Sequence, residues 1–439
     1  MCAMLQNLPP ELVQQITGSV GDADILHLRS TCRQLYEKTF PAFATAFFGC
    51  VTVDLCPKPL ERLRQIADDE RLRLYVRKLV VGELANGCPN PPRHLPGTGH
   101  CWARDPSTGC LDPSSPVICD LRAIVSRLVN CYSVAVRDEN EANEELREPS
   151  ETGGLLLMDT VHVALLLANG LQTIRSFQIV HEPSMIHGYT RSLLPRSVAG
   201  SLGESWASNL VDLHLQWYSM HDPDSLLVLV DLVLGARSLR KLCMRGAPAE
   251  FYRRLAAAPP DDLPLTVLDV RHAPRDMTSD VLASLTSRFR RTLEHLYVRH
   301  VRLSDPENWT AVLRDWARNL GHLKSFGVQT LLGKAGRKML LFSPILEWEG
   351  MPTAGRVQFT TKRAAAHATR REVDGVRYEN RTRVEDVQSV LRELADCSYL
   401  LPGFRPITSG MVSTRGEYRI GGGLLAEEVR VLHSPDASL

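Results

Sequence analysis

The chain has 439 residues, with 51 Lys and Arg against 50 Asp and Glu, so its formal charge is +1. That balance argues against a general nucleic-acid binder, and the length allows either a large core or an extended array of repeats. Eleven scattered cysteines, and a start at Met1-Cys2-Ala3-Met4 with no basic-then-apolar leader, predict reduced thiols in the cytosol or nucleus. The longest apolar runs, Leu155 to Leu171 and Leu226 to Ala236, are interrupted by Asp159, His162 or Asp231. Both fall short of the roughly twenty residues that a membrane span needs, so no membrane segment is expected.

Leu8-Pro9-Pro10-Glu11 predicts a helix start, because proline suits the first turn and Glu11 lies at the positive end of the macrodipole. Leu12, Val13, Ile16 and Val20 form one apolar stripe. Gly21-Asp22-Ala23-Asp24 breaks the chain, with Asp22 or Asp24 placed to cap a second helix bearing Ile25, Leu26 and Leu28. Thr31 is placed to cap a third, bearing Leu35, Tyr36 and Phe40. About forty residues bury too little surface to stand alone, so some of this apolar surface is expected to meet another body.

The pattern Leu8-Pro9, Glu11-Leu12, Ile16, Asp24-Ile25, Leu28-Arg29 and Cys32-Arg33 resembles an F-box, departing from the family at Val20, Thr31 and Leu35-Tyr36. The resemblance covers residues 1–45 and implies docking onto a Skp1-type adaptor, and through it onto a cullin-RING ligase core. The adaptor-binding residues it implies are Leu8, Pro9, Leu12, Ile16, Ile25, Leu26, Leu28 and Cys32.

Phe43 to Val53 reads as a mixed apolar linker. Leu60 to Asp69 then reads as a helix with Leu60, Leu63 and Ile66 on one face, and Tyr75 to Gly82 as a strand. This helix-then-strand rhythm recurs over Leu171 to Ile179, Leu210 to Leu215, Leu239 to Met244, Leu265 to Val270, Leu293 to Val298 and Leu320 to Val328. The inward residues Leu213, Leu242, Leu268, Leu296 and Phe326 are 29, 26, 28 and 30 residues apart. Such a period predicts strand-plus-helix units that bury their faces only by stacking. Helices are predicted from Ser225 to Leu234 (capped by Asp222 or Asp224), Asp280 to Phe289 (capped by Asp276 or Ser279) and Pro306 to Leu320 (preceded by Ser304 or Asp305). The units resemble irregular leucine-rich repeats. The expected fold is therefore α/β: a three-helix F-box, a solenoid over 46–334 with parallel strands concave and helices convex, and a capping region over 335–439.

Two loop insertions are expected in the solenoid, at 86–116 and 138–153. The first holds Cys88, His94, His100, Cys101 and Cys110, with Cys119 just beyond, but lacks the two close pairs of a zinc finger, so no metal is assigned. The second carries seven acids against Arg147 between Asp138 and Glu151, and reads as a solvated loop joining two helices of one repeat. Towards the C-terminus, 338–345 and 355–361 have strand character, 356–383 is basic, and Val384 to Asp396 predicts a helix with Val387, Val390, Leu391 and Leu394 on one side.

Catalytic motifs fail on inspection. Ala199-Gly200-Ser201-Leu202-Gly203 lacks the first glycine of a nucleophile elbow. Gly327 to Lys334 is one residue too long for a phosphate loop, with Ala335 where the magnesium-binding hydroxyl belongs. Neither an enzyme nor a cofactor is expected. What the repeats offer is a surface: Arg245, Arg271 and Arg299 occupy one position of three successive strands, flanked by Tyr297, His214, Gln216 and Gln329. Arginine forks suit carboxylate and phosphate, so these seven are the expected contacts for an acidic or phosphorylated protein segment, unless the arginines pair internally. The combined expectation is a substrate-recognition subunit of an SCF-type ubiquitin ligase. The alternative is a leucine-rich-repeat scaffold that recruits no ligase.

Overall fold

A computed structural model describes residues 5–53, 57–82, 112–137, 153–180, 202–216, 223–259, 263–273, 277–304, 309–329, 331, 339–342, 356–362, 372–379, 384–401 and 428–431. The chain is an α/β protein of parallel strands and helices, and divides into two compact units between Leu210 and Val211.

The first unit opens with four helices: α1 (Pro10–Thr17), α2 (Asp22–Thr31), α3 (Arg33–Lys38) and α4 (Phe40–Phe48). Pro10 stands at the first turn of α1, as its fixed φ and missing N–H favour. The caps differ from expectation. Gly21 precedes α2 with no side-chain cap, and Cys32, not Thr31, precedes α3, while the Thr31 hydroxyl donates to the Leu28 carbonyl at 2.7 Å. A hydroxyl that turns back on its own helix is lost to the next one. The core of these helices is Val13, Ile25, Leu35 and Ala44.

Arg29 is buried at their centre, 7% exposed. Its guanidinium lies 4.0 Å from the Tyr36 ring centroid and 3.9 Å from that of Phe43, and donates to the Tyr36 carbonyl at 2.8 Å. Phe40 extends the stack, with the Arg71 guanidinium at 3.8 Å and the Tyr75 ring edge-on at 5.8 Å. Lys38 Nζ donates to the carbonyls of Gln6 and Leu8, both at 2.7 Å, and so ties down the segment before α1.

The expected linker after Phe43 is instead the rest of α4 followed by strand β1 (Cys50–Val53). Then come α5 (Pro57–Asp68), a 3-10 turn (Leu72–Leu74), β2 (Lys78–Gly82), α6 (Pro116–Ser126), β3 (Ser133–Arg137), α7 (Gly153–Gly170), β4 (Ser176–Val180) and α8 (Glu204–Asn209). β1 to β4 pair in parallel and in chain order, with Val51, Leu79, Val134 and Phe177 in one register row. The acidic run after Asp138 therefore follows strand β3 rather than a helix, and Pro116 and Gly153, expected in loops, begin α6 and α7. Most of both insertions, including Cys88, His94, His100, Cys101 and Cys110, lies outside the described residues.

The second unit contains β5 (Asp212–Gln216), α9 (Pro223–Gly235), β6 (Lys241–Arg245), α10 (Ala249–Ala257), β7 (Val267–Arg271), α11 (Ser279–Arg288), β8 (His295–Arg299), α12 (Trp309–Asn319) and β9 (Ser325–Gln329). The five strands pair in parallel and in sequence order, with Leu213, Leu242, Leu268, Leu296 and Phe326 in one row, each at most 1% exposed. Thr278 caps α11 in place of the expected Asp276 or Ser279, its hydroxyl accepting from the Val281 N–H at 3.3 Å. Trp309, Val312, Leu313 and Trp316 fill the inner face of α12.

Beyond β9 lie β10 (Met339–Phe342), β11 (Arg356–Lys362), β12 (Glu372–Glu379), α13 (Val384–Cys397), β13 (Ser398–Leu401) and β14 (Glu428–Val431). β12 pairs antiparallel with β9, and β10 and β11 pair with β12. α13 packs beside α12 with Val387, Val390, Leu391 and Leu394 fully buried, and Arg314 pairs with Asp396 at 2.7 Å.

Arg29→Ala removes two close ring contacts worth about 0.5–2 kcal/mol each and a charged hydrogen bond worth about 1.5–3 kcal/mol. Chemical denaturation of the full chain is expected to show a loss of about 2.5–4 kcal/mol in the transition that reports the N-terminal helices, the lower part of that sum, because the cost of burying the guanidinium is removed with it.

Candidate functional site

Two surfaces gather the residues that the sequence singled out. The first is on α1 and α2. Val13 and Thr17 of α1 face the core, which leaves Leu12 and Ile16, one turn apart, on the other side at 44% and 37% exposed. On α2, Ile25 is buried at 4% while its neighbour Leu26 is 46% exposed. Pro9 is exposed, and Leu8, Leu28 and Cys32 are half-buried, with Cys32 Sγ 3.8 Å from Gln6 Oε1. The expected adaptor-binding set thus separates by burial: Ile25 holds the helices together, Pro9, Leu12, Ile16 and Leu26 present surface, and Leu8, Leu28 and Cys32 lie between. Covering Leu12, Ile16 and Leu26 would gain roughly 1–2 kcal/mol each.

The second surface lies at the carboxyl ends of β5 to β9. Gln216, Arg245, Arg271, Arg299 and Gln329 form one continuous register row, as the repeat spacing predicts. His214, Cys243, Asp269, Tyr297 and Gly327 form the row two residues earlier. The two rows are partly covered: Gln216, Cys243 and Asp269 are 2%, 4% and 6% exposed, and the arginines are half-buried. Side chains on strands about 5 Å apart cover one another. Arg245 donates to Gln216 at 3.3 Å, Arg299 lies 5.4 Å from the Tyr297 ring centroid, and Tyr297 Oη and His295 Nδ1 both reach the buried Ser325 hydroxyl, at 3.1 and 2.7 Å.

Arg271 is paired within its own strand. Its Nε lies 3.0 Å from each Asp269 oxygen and its Nη2 2.5 Å from Oδ2, a fork that raises the arginine pKa. Asp269 would otherwise be a buried unpaired carboxylate, and the Arg271 fork compensates it. Burial, reinforced by Arg271, holds the His214 imidazole below its ordinary pKa, and its Nε2 has no hydrogen-bond partner among the described residues. Burial also pushes the Cys243 thiol up to about 12, which makes it inert at neutral pH. No group of three or more His, Cys, Asp or Glu that could hold a metal occurs among the described residues. No helix there is long and apolar enough to cross a membrane.

The residues that follow the arginines escaped the sequence reading. Gly246, His272 and His300 all have left-handed backbones, with φ of 80°, 51° and 52°. This lets each N–H bond the carbonyl of the next strand's row residue: Gly246 to Arg271 at 2.9 Å, His272 to Arg299 at 2.9 Å and His300 to Gln329 at 2.8 Å. Glycine adopts the conformation freely, whereas a side chain costs about 1–2 kcal/mol. The His272 and His300 rings stack at 4.6 Å with 20° between planes. Burial first, then His300, Arg245 and Arg271, pushes the His272 imidazole down to about 4. Aligning 245–247, 271–273 and 299–301 as Arg-Gly-Ala, Arg-His-Ala and Arg-His-Val is the signal that would have found the pair.

Compared with known proteins, the chain matches no protein-family model and no curated protein sequence.

His272 binds a proton more weakly folded than unfolded, where its pKa is about 6.5. Its contribution to stability is complete above that value and is lost as pH falls through about 4. His272→Asn keeps a residue that tolerates the left-handed backbone. In thermal melts across this range the variant is expected to lose roughly 2–3 kcal/mol less than the parent on acidification. Superimposable pH profiles would contradict the assignment.

Proposed function

We propose that the chain is the substrate-recognition subunit of an SCF-type ubiquitin ligase. The observation that carries this reading is the exposure of Leu12, Ile16 and Leu26 over helices whose core is already complete, at positions of the F-box pattern. In this reading α1 to α3 are the F-box and dock a Skp1-type adaptor. The strand-helix units that follow are an irregular leucine-rich-repeat-like solenoid. β10 to β14 with α13 are its C-terminal cap: β12 pairs with the β9 edge and α13 packs beside α12, as a terminal repeat needs.

Function then follows by proximity. The F-box helices hold the adaptor and cullin, the arginine row holds a protein substrate, and a ubiquitin-charged E2 brought by the RING subunit performs the transfer. The chain supplies binding energy and geometry. Its apolar anchors carry the adaptor contact, and its arginines and flanking polar groups select an acidic or phosphorylated segment.

Co-expression with a Skp1-type adaptor tests the first half. The parent is expected to co-purify with it, and the double variant I16E/L26E to lose the complex while its melting temperature stays near the parent's, because both side chains are exposed. A stable complex with the double variant would refute the F-box reading and leave a repeat scaffold. The second half is tested by Arg299→Glu, since Arg271 is held by Asp269. Affinity capture under proteasome inhibition should lose the substrates that the parent retains while the adaptor still co-purifies. Unchanged capture would remove the arginine row from recognition.

A further inference from the structure

Seven large apolar side chains are exposed among the described residues. Leu12, Ile16, Leu26 and Tyr36 belong to α1, α2 and α3, and the other three, Leu74, Val129 and Tyr132, fall on one edge of the first unit. Apolar side chains scattered singly over a surface are ordinary, but these three share one place.

The chain enters β2, β3 and β4 through turns at 69–77, 127–132 and 171–175, and the backbone locks these entries side by side. The Tyr132 N–H donates to the Arg77 carbonyl at 3.1 Å, and the Arg175 N–H to the Tyr132 carbonyl at 2.7 Å. Arg77, Tyr132 and Arg175, all exposed, therefore stand in a row with about 5 Å from strand to strand and the tyrosine between two arginines. Three residues earlier, Leu74 and Val129 hold matching places in adjoining turns, where Asn130 Nδ2 donates to the Leu74 carbonyl at 2.7 Å. Leu74, Val129 and Tyr132 are 44%, 53% and 41% exposed.

Charge on this edge is one-sided. The three turns hold five arginines, Arg71, Arg73, Arg77, Arg127 and Arg175, against Asp69 and Glu70. Arg71 pairs with Glu37 at 3.1 Å and Arg127 with Asp68, while the Asp69 carboxylate accepts from the Arg71 and Leu72 N–H groups. Arg73, Arg77 and Arg175 make no ion pair among the described residues, which leaves Glu70 as the one acid of these turns to oppose them.

Apolar tips, a tyrosine with an apolar body and a polar hydroxyl, and arginines on either side match the layers of a bilayer surface: hydrocarbon, headgroups and anionic charge. A nucleic acid would use the arginines and leave the aliphatic side chains in water. A protein partner would need a recess for each projecting side chain with acids at its rim, whereas an anionic bilayer supplies both over its whole surface.

We infer that the edge at which the chain enters β2 to β4 docks on an anionic membrane. Leu74, Val129 and Tyr132 enter the headgroup layer, and Arg73, Arg77 and Arg175 meet lipid phosphates and carboxylates. Binding is peripheral and reversible, since three apolar side chains and three charges anchor far less than a spanning helix does. This edge shares no residue with the surface of Leu12, Ile16 and Leu26 and does not depend on the ligase reading.

The experiment is co-sedimentation of the full-length chain with vesicles of phosphatidylcholine alone, or with about a third of the lipid replaced by phosphatidylserine. Binding to the mixed vesicles is expected, falling as salt rises, with little to the neutral ones. The variants R77Q/R175Q and L74S/V129S should each bind at least about tenfold more weakly, with melting temperatures near the parent's because these side chains are exposed. Where either fails to fold, Val129→Asp, at the most exposed position of the three, carries the same expectation. Soluble glycerophosphoserine should not displace the protein, because it carries the charge without the apolar layer.

A folded chain that ignores the mixed vesicles overturns the inference and leaves the edge to a protein partner. Equal binding to both vesicles, or unchanged binding by either folded variant, overturns it too. Full displacement by glycerophosphoserine would reduce the edge to a simple anion site. Co-purification with the adaptor is expected to be the same for parent and variants, so this inference and the ligase reading fail separately.

Discussion

The second unit depends on a single row of buried side chains, Leu213, Leu242, Leu268, Leu296 and Phe326. Parallel strands cannot be joined by a tight turn, so each must be followed by a crossover long enough to carry a helix. Once those five residues are held in register, every other position on the strands is placed too, since side chains alternate at a strict period of two. That is how Arg245, Arg271 and Arg299, more than twenty residues apart in the chain, come to lie on neighbouring strands. The residues after them inherit the alignment, which is why two histidines in left-handed turns meet face to face.

The N-terminal helices obey a different constraint. They are short, and their middle is occupied by a cation rather than by another aliphatic side chain. Arg29 is stabilised there because two aromatic faces and a carbonyl replace its water. Tyr36, 47% exposed, serves as a lid on that guanidinium, although the helical pattern presents it as an ordinary apolar residue. Val13, Ile25 and Leu35 close the core, and Leu12, Ile16 and Leu26 lie at the surface.

Much of the strand order was legible, and the failures have local causes. β1 was read as a linker because Cys-Val-Thr-Val is too short to show alternation, and only its pairing with β2 makes it a strand. β3, Ser-Val-Ala-Val-Arg, has only small apolar side chains and runs straight into an acidic stretch, so its alternation is weak. β12 was hidden in a basic stretch, since an edge partner of β9 needs backbone complementarity more than apolar content. The helix caps failed for a similar reason: several side chains could cap, and chain direction chose Thr278 over its neighbours.

By itself, the sequence determined the period of the strand-helix units, the amphipathic faces of α5 and α13, and the co-alignment of three arginines. These follow from spacing, which is local and repeats along the chain. Only the tertiary structure decided that Arg271 grips Asp269, which of Leu12, Val13, Ile16, Ile25 and Leu26 stay exposed, and that two histidines stack. Each of these depends on what the neighbouring strand or helix places within a few ångströms. The Arg271 fork to Asp269 and the ring contact of His272 with His300 exist only once the register is formed.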